Sequence, residues 1–168
     1  MRNLRAFLGT AAAVGFLASF LVHIAALFGV DVAARLPGVW LLHFGVFAVF
    51  VPFVLFARRD FGAQPSLLQI SAALPRWVVI LGGAIFAYAI VNFIIFIAGT
   101  QGGSPTVQDG KYLLLNHGKL IREITAGEYA AFKANEVRGF SGHWLVFYFA
   151  PAAYFLGWKA PKPFRGSA

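Results

Sequence analysis

The sequence predicts an all-α membrane protein: a four-transmembrane-helix bundle with a small extracytoplasmic β-hairpin or meander plus a helix capping it between the third and fourth spans. Three observations predict this. First, the 168 residues are 60% hydrophobic and 12% charged, with a mean hydropathy of +0.74, whereas soluble domains carry about a quarter of charged residues. Second, residues 77–98 contain no Asp, Glu, Lys or Arg. At about 1.5 Å per residue they make a helix of roughly 33 Å, long enough for a hydrocarbon core of about 30 Å. Third, similar charge-free runs cover residues 6–30, 36–57 and 139–158, of which 141–158 forms the expected fourth span. The chain is then one membrane domain, 1–168, with no length left for a soluble catalytic domain.

The net charge of +8 divides unequally across these spans. Arg2, Arg5, Arg58, Arg59, Arg76, Lys159, Lys162 and Arg165 fall on one side with a single acid, Asp60. Arg35, Lys111, Lys119, Arg122, Lys133 and Arg138 fall on the other with five acids. Basic residues concentrate on the cytoplasmic side of multi-pass proteins, so both termini are expected in the cytoplasm of a bacterial inner membrane. The basic balance thus points to the lipid bilayer and not to nucleic acid. Trp40 and Trp144 at outer span ends, and Trp77 and Trp158 at inner ends, fall where indole rings prefer to lie.

The first run, 6–30, opens like a signal peptide but is too long for its core, and it carries His23. Ala11, Gly15, Ser19, His23 and Ala26 share one helical stripe, which should face a neighbouring helix. Leu36-Pro37-Gly38 turns the chain into the second span, whose Pro52 frees the carbonyl of Ala48 and predicts a kink. Between spans two and three, Ser66 caps a short interfacial helix over 67–74, closed by Pro75. The third span sets Ala84, Tyr88 and Asn92 at steps of four. Residues 99–140 form the cap. Asp109-Gly110 and His117-Gly118 are turn signals around KYLLLN and KLIREI, predicting a two- or three-stranded meander. Thr125 and Glu128 have capping-box spacing and open a helix over 126–138. Gly139 to Gly142 should then bend the chain, with Ser141 as a cap, into the last span and its Pro151. Residues 159–168 form a cytoplasmic tail.

The candidate site is a polar layer. His23, His43 and Asn92 come to one depth, roughly 10 Å below the outer surface at 1.5 Å per residue, with His143 just above. Polar side chains inside a bilayer are expensive and need partners. They serve as interhelical hydrogen bonds, as a cofactor site of His23, His43 and Asn92 for haem or a quinone, or as a metal site of His23, His43 and His143. Hydrogen bonding without any cofactor is the leading expectation. Glu128, Glu136 and His117 read as cap and turn residues. The absence of cysteine excludes thiolate catalysis and Cys-ligated metals. No phosphate loop, nucleophile elbow or HExxH spacing occurs, and no catalytic residue is assigned. The expected function is therefore a non-enzymatic accessory subunit or assembly factor that binds other membrane subunits or itself. The alternative is a haem-, metal- or quinone-binding redox protein built on His23 and His43. A small-substrate transporter, prompted by Pro52 and Pro151, lacks the intramembrane charges that coupling needs.

Overall fold

The computed structural model describes residues 2–157. Trp158, Lys159, Lys162 and Arg165, assigned above to the inner aromatic belt and the tail, lie outside the described residues. The chain is mostly helical: α1 (Arg2–Leu27), α2 (Val32–Arg35), a 3-10 turn (Pro37–Trp40), α3 (Leu41–Phe61), α4 (Leu67–Ala72) and α5 (Arg76–Gly99) precede three strands, β1 (Ser104–Gln108), β2 (Lys111–Asn116) and β3 (Lys119–Glu123), and a last helix, α6 (Ala126–Gly157). Among the described residues, three segments are long and apolar enough to cross a membrane: Asn3–Leu27, Pro37–Phe61 and Arg76–Gly99. Each falls within about one turn of an expected span.

Local chemistry sets the joints. The Asp31 carboxylate accepts the Ala34 N–H at 3.0 Å and starts α2. Ser66 starts α4 through a reciprocal box, Gln69 N–H donating to its hydroxyl at 3.1 Å and the Gln69 side chain accepting the Ser66 N–H at 2.9 Å. The helix stops at Ala72, short of the expected residue 74, because Pro75 disfavours helical geometry at the residue before it.

α6 is the axis. α1 runs antiparallel to it: Gly9 faces Leu156, Gly15 faces Tyr148, and His23 is bonded to Ser141. α5 runs antiparallel along another side, with Gly82 against Phe149, Asn92 against Gly142 and Gly99 against Asn135. α3 runs parallel to α6, with His43 bonded to Trp144, Phe50 on Phe147 and Phe53 on Tyr154. The α1 stripe is buried as its spacing requires, through Ala12, Gly15, Ser19, His23 and Ala26, while Ala11 sits at its edge. A side chain at Gly15 would collide with the Tyr148 ring, so only a bare backbone lets α1 come this close.

The expected bend at 139–142 is absent, and α6 runs unbroken from Ala126 to Gly157. The glycines there serve packing instead of bending. A Cβ on Gly139 would meet the Phe96 ring, and one on Gly142 would meet the Asn92 amide. Ser141 is accordingly a buried mid-helix residue and not a cap. The cap helix and the apolar segment 141–157 are one continuous helix.

The strands form an antiparallel sheet in the order β1-β2-β3, with a bulge between Leu114 and Leu115. Both turns adopt the positive φ that type I′ geometry needs: Asp109 (+52°) with Gly110 (+76°), and His117 (+48°) with Gly118 (+81°). Leu114 is fully buried and joins Ile124 and Phe132 in a satellite core, edged by the Tyr112–Tyr129 ring contact. The Thr125–Glu128 box forms as its spacing predicts, at 2.8 and 3.1 Å.

Candidate functional site

One turn of α6 gathers the polar layer. Ser141 meets His23, Gly142 lies against Asn92, His143 follows, and Trp144 meets His43. Apolar walls make such groups seek partners, and those of His23, Asn92 and Ser141 can be traced. The Ser141 hydroxyl donates to the Arg138 carbonyl at 3.2 Å, so its oxygen accepts from His23 Nδ1–H at 2.8 Å. His23 Nε2 then accepts the Tyr88 hydroxyl at 2.5 Å. The result is a one-way chain from Tyr88 on α5, through His23 on α1, to the backbone of α6. Asn92 donates to the same Arg138 carbonyl at 3.2 Å. His23 is 2% exposed and Asn92 3%. The two are therefore brought together and bind three helices to one carbonyl.

His43 is not part of that chain. It lies across α6, where the Trp144 indole N–H donates to its Nδ1 at 3.1 Å, inside a collar of Phe44, Phe47 and Phe140. His143 turns back on its own helix, Nδ1 donating to the Gly139 carbonyl at 2.8 Å, with its ring on Phe93.

These bonds decide what the histidines can ligate. A metal or haem iron needs an imidazole lone pair. Both nitrogens of His23 are engaged. An indole only donates, so Trp144 holds the His43 lone pair at Nδ1 and the proton at Nε2. Ligation would break an internal bond at either residue. Among the described residues no three His, Cys, Asp or Glu side chains gather at a metal-sized site, and His23 and His43 fit neither haem nor a metal without rearrangement.

Sequence reasoning missed the second polar cluster, at the opposite end of the bundle. Arg5 of α1 and Asp60 of α3 pair at 2.6 Å, with side chains 19% and 11% exposed. The Tyr154 hydroxyl of α6 donates to the same carboxylate, and the Arg5 guanidinium lies 4.9 Å from the Phe56 ring centroid. The available signal was Asp60 itself, the single acid among eight bases. Tyr88, Ser141 and Arg138 were likewise not assigned to the site, although Tyr88 stands four residues before Asn92.

The cap is laced by charge. Lys111 pairs with Glu123 at 2.6 Å, Arg122 with Glu128 at 2.8 Å, and Lys133 with Glu136. The Thr125 backbone N–H and the Arg122 guanidinium hold the Glu128 carboxyl below the ordinary carboxylate value. Glu123 holds the Lys111 ammonium above the ordinary lysine value. Partial burial lowers Lys133, but the Glu136 carboxylate outweighs it and leaves that ammonium raised. Asn135 ties the cap to α5, donating to the Phe96 carbonyl at 3.1 Å and accepting from Arg138 at 2.8 Å.

No protein-family model, curated protein or solved structure matches the chain.

Proposed function

We propose that the chain is a four-span protein of the bacterial inner membrane, with cytoplasmic termini, acting as a non-enzymatic accessory subunit or assembly factor. The apolar stretch of α6 is its fourth span and the meander-helix cap its extracytoplasmic contact surface. Exposed apolar area supports the membrane reading: only 17% of the apolar stretches of α3 and α5 is buried in the protein, and Phe7, Leu21, Phe44 and Ile94 are more than 60% exposed. Lipid is the solvent that makes such a surface stable.

The observation that carries the accessory role is the continuity of α6. It joins the cap rigidly to the helix that every other long helix packs on, while the polar layer spends its bonding capacity on holding helices together. A partner bound at the cap would thus be held in fixed register with the membrane domain.

The chain has no cysteine, so topology can be read on a silent background. In intact cells an impermeant maleimide should label Lys111→Cys and spare Lys162→Cys; labelling of both overturns the topology. Photo-crosslinking side chains placed at Leu120 in the cap and Ile94 in α5, both strongly exposed, should capture a discrete partner or a second copy. No capture at either position, with a monomer after purification, overturns the accessory role. A Soret band that disappears in His43→Ala would replace it with the haem reading.

A further inference from the structure

α1 and α5 both lie on α6 and meet each other through the His23–Tyr88 bond. Toward the other end of the bundle an apolar slot of about 450 Å³ separates them. Its walls are Phe16 and Leu17 of α1 with Trp77 and Leu81 of α5, and its floor is Phe149 and Leu156 of α6. Phe16 and Phe149 meet in a tilted contact, ring centroids 5.9 Å apart. The polar layer lies beyond that pair, so a ligand here touches none of its residues.

The geometry points to a bound anionic phospholipid: one acyl chain in the slot and the phosphate at its mouth, beside Arg76. This rests on the membrane reading above, under which the mouth opens to the cytoplasmic leaflet. Size favours a single chain over a partner helix. A transmembrane helix of about 10 Å diameter and 30 Å length occupies roughly 2,400 Å³, about five times the slot. Charge selects the headgroup. The mouth is formed by Pro75, Trp77 and Gly157, and Arg76 stands exposed between the first two. An exposed juxtamembrane arginine attracts anionic headgroups. Trp77, 67% exposed, stands where an indole meets the headgroup layer.

Native mass spectrometry of the full chain tests this, after equilibration with mixed micelles of phosphatidylglycerol and phosphatidylethanolamine in equal parts. The wild type should retain one phosphatidylglycerol at least fivefold over phosphatidylethanolamine. Ala153→Phe and Ala13→Phe, which fill the slot from floor and wall, should each cut retention about tenfold. Arg76→Gln should keep one lipid but reduce the preference to about twofold or less. Equal retention of the two lipids by the wild type overturns the proposal, as does unchanged retention in both filled variants or a lipid-free dimer. If a filled variant does not fold, Arg76→Gln alone decides: an unchanged preference overturns the headgroup assignment. A chain released from membranes by carbonate without detergent would instead overturn the membrane reading itself.

Discussion

Gly15→Ala should destabilise the bundle, and the size of the effect follows from one ring. The new Cβ would lie 2.7 Å from Tyr148 Cζ and nearer still to two other ring carbons, whereas ordinary carbon contact is about 3.5–4.0 Å. The ring cannot retreat. Its hydroxyl donates to the Leu42 carbonyl at 2.7 Å and lies over Gly45 of α3, where a Cβ would collide with it. Overpacking of this kind costs about 1–3 kcal/mol, and loss of the Tyr148 hydrogen bond adds about 0.6 kcal/mol. Alanine returns up to about 1 kcal/mol of helix propensity. The net is a loss of roughly 0.5–2.5 kcal/mol. Unfolding in mixed micelles at rising dodecyl sulfate fraction, followed by circular dichroism, measures it. In a Tyr148→Leu background the same substitution should cost nothing or stabilise, a coupling of at least about 1 kcal/mol in the double-mutant cycle. A Gly15→Ala protein as stable as the wild type, or a cost unchanged by Tyr148→Leu, would refute the wedge.

Asp60→Asn removes the charge that Arg5 and the Tyr154 hydroxyl share in a largely buried site and should cost up to about 3 kcal/mol by the same unfolding assay, with much of the loss recovered when both Asp60 and Arg5 become methionine. Asn92→Ala removes the bond to the Arg138 carbonyl and opens a small void, a loss of about 1–2 kcal/mol; Gly142→Ala, whose methyl enters the vacated space, should then become stabilising in that background. The Glu128 carboxyl titrates below its unfolded value, so its contribution is complete above the ordinary carboxylate range and fades as pH falls through the lowered folded value. Amide protection factors at the start of α6, taken relative to the intrinsic exchange rate at each pH, should therefore fall on acidification in the wild type and be less pH-dependent in Glu128→Gln.

Much of the helical framework was legible because its signals are local. Charge-free length fixes an apolar helix, a step of three and four fixes the buried face of α1, and Ser66 and Thr125 start helices through their own side chains. What could not be read locally was what each glycine or polar residue is for. Gly139 and Gly142 carry the composition of a bend, and only the approach of Phe96 and Asn92 makes them packing residues inside a continuous helix. Asp60 is one surface-like acid in a basic stretch until Arg5, fifty-five residues earlier, reaches it. The depth of His23, His43 and Asn92 could be counted along the chain, but their azimuth could not. That azimuth puts His23 and Asn92 on one shared carbonyl and His43 on the other side of α6.

The same azimuth bears on function. A cofactor site in a bundle needs side chains that converge on open space with spare lone pairs. Here the bonds of the layer run from helix to helix: Tyr88 to His23, His23 to Ser141, and Asn92 and Ser141 to one backbone carbonyl. Each added bond fixes the rotation of α1 or α5 about α6, and the Arg5–Asp60–Tyr154 cluster fixes α1 and α3 at the far end. Two polar clamps at opposite ends of one axis hold the helices in register, and the cap is an extension of that axis. Polar chemistry used in this way fixes the rotation and register of α1, α3 and α5 on α6.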